Sequence, residues 1–72
     1  MKKFNIDDVI IMQNSTKYIV TYSDEQIYQA LELTSSYHYK FSVSYNSAFD
    51  NNIRAVYKVS KLLSLVLKGK LW

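Results

Sequence analysis

The most regular pattern in the chain is a strict alternation. Tyr37, Tyr39, Phe41, Val43 and Tyr45 take every second place, and His38, Lys40, Ser42, Ser44 and Asn46 fill the gaps. A period of two puts the rings on one side of an extended backbone, so this stretch reads as a half-buried strand with one wet face. A helix would spread the same rings around its axis. Two shorter patches upstream, Val9-Ile10-Ile11-Met12 and Tyr18-Ile19-Val20-Thr21-Tyr22, are rich in β-branched and aromatic residues, which suit a pleated surface. Between them, Gln13 to Lys17 is polar and carries turn-forming Asn and Ser. The pair predicts a β-hairpin with a loop of about three to five residues. A short helix over Ile6 to Met12, capped by Asn5, is the competing reading of the first patch.

Two segments read as helices. Ser23 stands three residues before Gln26, the spacing of a capping box. Asp24 and Glu25 would occupy the first turn, at the positive end of the helix dipole. Ile27, Ala30, Leu31 and Thr34 recur at helical spacing, and Ser35-Ser36 ends the run. The second helix is expected from Ile53 to about Lys68, with Val56, Val59, Leu63, Val66 and Leu67 on one side and Arg54, Lys58, Lys61 and Lys68 on the other. Ser47 and Asp50 have capping-box spacing ahead of it, and Asp50 or Asn51 would serve equally as its cap. Gly69 suits its end. The order is β-β-α-β-α. The expected class is α+β: a small two-layer domain over residues 1–72, with a three-stranded sheet and two helices packed on one face. Residues 23 to 36 are enough for a crossover, right-handed if the second and third strands lie parallel.

Composition narrows the chemistry. The chain has 72 residues, no Cys, no Pro, one Gly and one His, with 49% hydrophobic residues. Without Cys there is no disulfide, no thiolate metal site and no cysteine nucleophile. With one Gly there is no glycine-rich phosphate loop. His38 reads as a solvated strand residue, and neither Asp7-Asp8 nor Asp24-Glu25 has the ligand spacing of a calcium loop. No cofactor or metal is expected, and no set of catalytic groups cooperates. A small core must rely on dense packing, and seven Tyr and three Phe supply large buried areas. Met1-Lys2-Lys3 starts like a secretory signal, but Asp7 and Asp8 interrupt it before any apolar stretch of sufficient length. The longest later apolar run, Leu62 to Leu67, is far short of a bilayer span. A cytoplasmic protein is expected. Eight Lys to one Arg, with frequent Asn, Ile, Tyr and Ser, fits a low-GC bacterium or a phage or mobile element living in one.

Charge is unevenly spread. Residues 52–72 carry five cations and no acid, whereas residues 1–51 carry four Lys against six acids. On a helix, Arg54, Lys58, Lys61 and Lys68 would form a basic stripe. Leu65 would fall inside that stripe, with Tyr57 and Leu62 on its flanks and Trp72 adding an aromatic anchor at the end. Partner-binding residues are therefore expected at Arg54, Tyr57, Lys58, Lys61, Leu65, Lys68 and Trp72. The expected function is a small non-enzymatic protein-binding module, an inhibitor or modulator of a larger host protein. The alternative is nucleic-acid binding through the basic helix, with a homodimer as a further arrangement. Membrane attachment is the weakest of these readings.

Overall fold

The computed structural model describes residues 3–33 and 39–67. Its first hairpin forms where the polar run predicts one. Asn14 Oδ1 accepts from the Thr16 N–H at 3.0 Å, Ser15 adopts φ 72°, and the Met12 N–H donates to the Thr16 carbonyl at 2.9 Å. The turn joins β1 (Val9–Met12) to β2 (Lys17–Ser23), antiparallel, with Val9 opposite Ile19.

The helix expected from Ser23 is not formed. Asp24 Oδ1 accepts from the Gln26 and Ile27 N–H groups at 2.8 and 2.9 Å, and the Asp24 N–H donates to the Ile27 carbonyl at 2.9 Å. This is a tight turn closed by an aspartate side chain, and the chain returns beside β2 as β3 (Ile27–Glu32). A short polar side chain serves a turn as readily as a helix start. The burial period decides between them. Tyr28 and Ala30 are fully buried while Ile27, Gln29 and Leu31 are only half-buried, a period of two.

β4 (Lys40–Ser44) lies inside the predicted alternating strand and pairs antiparallel with β3, Val43 opposite Tyr28. Val43 is buried and Lys40, Ser42 and Ser44 are exposed, as the alternation requires. Tyr39, expected on the apolar side, is 61% exposed. Tyr37 and His38 lie outside the described residues. The β2–β3–β4 path is a meander, so no parallel crossover exists.

Ser47 does cap a helix, but only a single turn, α1 (Ala48–Asn51), whose Asp50 N–H donates to Ser47 Oγ at 3.3 Å. The long helix expected from Ile53 is also absent. Residues Ile53–Tyr57 form β5, antiparallel to β1 with Val56 opposite Ile10, and only α2 (Lys61–Leu67) is helical. Ile53, Val56 and Tyr57 are good strand formers, and β1 offers an edge that β2 leaves unpaired. Pairing with that edge overrides the helical spacing. The sheet therefore has five antiparallel strands in the order β4-β3-β2-β1-β5. The α+β class stands. The three-stranded sheet carrying two helices on one face does not.

One core draws on every strand. Ile10, Met12, Val20, Tyr28, Ala30 and Val43 are buried together with Phe4, and Tyr18, Phe41, Tyr45, Phe49 and Ile53 pack against them. For β4 and β5 to share a core, the sheet must curl. Two irregularities help: Arg54 is an extra residue in β5 opposite the Ile11–Met12 step, and Thr21 is an extra residue in β2. Such bulges increase local twist. Phe4 meets Tyr28 edge-on at 4.9 Å, and Tyr18, Phe41 and Phe49 form a triangle with centroids 5.2 to 5.5 Å apart. Edge-to-face pairs of this kind add about 0.5–1.5 kcal/mol each beyond the area they bury. Val9 and Ile19 are buried outside this cluster, on the other face of the sheet.

Candidate binding surfaces

Two buried carboxylates fix the parts of the fold that present the surface. Asp50 has no exposed side-chain area and joins three segments. Its Oδ2 accepts from Lys3 Nζ at 2.7 Å and from the Asn46 N–H at 2.8 Å, and its Oδ1 accepts from the Tyr28 hydroxyl at 3.1 Å. Burial pushes its carboxyl up. The Lys3 ammonium, the Asn46 amide and the Tyr28 hydroxyl outweigh that and hold it below the ordinary carboxylate range. Burial, and then the Asp50 charge, push the Tyr28 hydroxyl well above the usual tyrosine value. Asp8, 3% exposed, accepts from the Asn5 N–H and from Lys58 Nζ, each at 2.9 Å. That bond ties the connection after β5 to the turn before β1.

α2 is held in the same place. Ser60 Oγ accepts from the Leu63 N–H at 3.1 Å and so caps its start. Ser64, 1% exposed, donates to Asp7 Oδ1 at 2.5 Å. With Ser64 turned inward, Leu62 and Leu63 remain 66% and 45% exposed. Lys61 is exposed beside them, and Tyr57 and Arg54 are exposed on β5. β5 is an end strand, and its other edge pairs with no strand among the described residues.

The residues singled out in sequence are thus only partly brought together. Arg54 and Tyr57 lie on β5, Lys58 in the connection, and Lys61 and Leu65 on α2. Lys68 and Trp72 lie outside the described residues. The four cations do not form a helical stripe, because Arg54 is on a strand and Lys58 is bonded to Asp8. Leu65 is half-buried rather than set in a basic face, and Leu62 and Leu63 are the exposed leucines.

A second feature escaped the sequence reading. A cleft of about 400 Å³ opens between the β1–β2 turn and α1, lined by Met12, Gln13, Asn14, Tyr18, Phe49 and Asn52. The signal for it was present in part. Ser47 and Asp50 marked a helix start, and ending that helix after one turn would have placed Phe49 and Asn52 against the hairpin loop. Among the described residues no three of His, Cys, Asp and Glu gather into a group able to hold a metal ion. Nor is any helix among them long and apolar enough to cross a membrane. No family model matches the chain, and comparison with curated proteins and with solved structures finds no match.

Proposed function

We propose that the protein is a non-enzymatic protein-binding module that docks an acidic protein surface on β5 and α2. The observation behind this reading is the interleaving of large exposed apolar groups with cations between positions 54 and 63. Tyr57, Leu62 and Leu63 are exposed, with Arg54 and Lys61 among them. Exposed aromatic and aliphatic groups alternating with cations along a short stretch have the composition of a docking patch. The cations would steer an acidic partner and set its orientation. Docking through side chains fits better than addition of a strand to β5. That strand is short, and the bulge at Arg54 disturbs it, as in edges guarded against pairing. Nucleic acid fits this surface less well, because Lys58 is already neutralised by Asp8 and the patch is largely apolar.

The test compares the wild type with Leu62→Asp and with Arg54→Glu/Lys61→Glu in affinity capture from cell extract. Leu62 is 66% exposed, so its replacement leaves stability within about 0.5 kcal/mol. A stoichiometric protein retained by the wild type and lost from both folded variants supports the reading. Recovery of nucleic acid instead, with affinity falling steeply as salt rises, would replace it with the nucleic-acid reading. Identical capture by all three proteins refutes the proposed surface.

A further inference from the structure

We infer that the cleft between the β1–β2 turn and α1 is a binding site for an uncharged planar heterocycle of the nucleobase class. It is separate from the β5–α2 surface and does not rest on the function proposed for that surface. Its wall is aromatic and already rigid. Tyr18 from β2 and Phe49 from α1 have centroids 5.2 Å apart with planes at 76°, and Phe41 backs both, at 5.5 and 5.2 Å. The rings hold one another, so a ligand need not order them. Met12, 6% exposed, completes the floor.

Apart from the Tyr18 hydroxyl, the polar side chains that line the cleft are amides: Gln13, Asn14 and Asn52. Two of these are oriented by the fold. Asn14 Oδ1 accepts from the Thr16 N–H at 3.0 Å, and Asn52 Nδ2 donates to the Ala48 carbonyl at 3.0 Å. Those bonds occupy the Asn14 oxygen and one hydrogen of the Asn52 NH2, so the Asn14 NH2 and the Asn52 oxygen keep hydrogen-bonding capacity for a ligand. The backbone bond from the Gln13 N–H to the Asn52 carbonyl, 2.9 Å, holds the two sides together. A ring that carries both acceptors and donors on its edge can use those groups, and its flat face suits the aromatic wall. No charged side chain lines the cleft, so an ionised ligand would lose its hydration without gaining a counter-charge. An aliphatic ligand would leave the amides unpaired. The volume of about 400 Å³ lies in the range of small-molecule sites.

Two sources carry this chemistry, a free nucleoside and a base exposed in a single strand. The test is an NMR titration of isotope-labelled protein with adenosine and uridine in one arm and a short oligothymidylate in the other. The expected result is saturable shifts at the Gln13, Asn14 and Asn52 side-chain amides and the Tyr18 and Phe49 rings. Gln13→Ala removes an exposed amide, and Asn14→Asp keeps the acceptor for Thr16 while removing the donor. Each is expected to weaken nucleoside binding about fivefold. Tighter binding of the oligonucleotide through the same residues assigns the base to a strand, and equal or weaker binding assigns it to a free nucleoside. Three results overturn the inference: no saturable shift in the millimolar range, shifts confined to other residues such as Arg54 and Lys61, or unchanged affinity in both variants.

Discussion

Replacing Asp50 by alanine removes the acceptor on which three segments converge. The Asn46 N–H and the Tyr28 hydroxyl lose their partner, whereas Lys3, whose side chain is 48% exposed, turns to water at little cost. A buried donor left unpaired costs about 1–3 kcal/mol; this applies to the fully buried Tyr28 hydroxyl, whereas Asn46 is exposed and adds less. Marginal stability of about 0.05–0.15 kcal/mol per residue makes this a large share of the total. At about 4–8 °C per kcal/mol for a domain of this size, melting should fall by roughly 4 °C or more. Asp50→Asn should lie between the two proteins. Its oxygen can still face Lys3 and Asn46, but its NH2 can only donate to the Tyr28 oxygen, so it forfeits the charge and the acceptor for the Tyr28 proton. Urea titration and thermal melting followed by circular dichroism measure both variants. A loss below about 1 kcal/mol for the alanine variant would refute the reasoning, because it would mean that these donors are not dependent on the carboxylate.

Stability should decline in acid. Asp50 and Asp24 both have folded pKa values below the ordinary 3.8, so their contribution is present above that value. It is lost as pH falls through 3.8 and then through the lower folded values. Urea midpoints across that window should fall in the wild type and fall less in Asp50→Asn. The alkaline side has the opposite cause. Tyr28 keeps its proton in the fold above the ordinary 10.0, so stability should decline as pH rises past 10, and Tyr28→Phe should flatten that limb at neutral-pH cost. Tyr45→Phe should be neutral or stabilising by up to about 1 kcal/mol, because the Tyr45 hydroxyl is buried without a hydrogen-bond partner; clear destabilisation in urea would contradict this. Ser15→Gly should stabilise by up to about 1 kcal/mol, since Ser15 holds φ 72° where glycine carries no Cβ penalty.

Some of the fold was legible and some was not, for identifiable reasons. The β4 strand has an unambiguous period, and in the first hairpin β-branched patches and the polar turn residues between them agree, although the first patch alone also allows a short helix. The segment after Ser23 does not have that agreement. Ser23, Asp24 and Gln26 satisfy the rules for a helix start, yet Ser23 Oγ donates to the Phe4 carbonyl, 2.8 Å away, a partner nineteen positions back that no local pattern reveals. Likewise Ile53 to Tyr57 fits a helical stripe until β1 is known to have an open edge. The candidate site suffered from the same cause. Its cations were placed on one face by a helix that does not form. The amide-rimmed cleft arises from two loops far apart in sequence, Gln13–Asn14 and Phe49–Asn52.

β1 sits between β2 and β5, and this position shapes how the chain can be made. On the ribosome, β1 through β4 can zip together by neighbouring hairpins as they emerge. The far flank of β1 must wait for a strand some forty residues later. Until β5 arrives, Ile10 and Met12 have cover on one side only, and Asp8 lacks the ammonium of Lys58. Without β5 the sheet would have four strands, with β1 as an open edge. A chain truncated before Ile53 would expose the far edge of β1 and leave Asp8 without the Lys58 ammonium, so such a truncation is expected to favour edge-to-edge association.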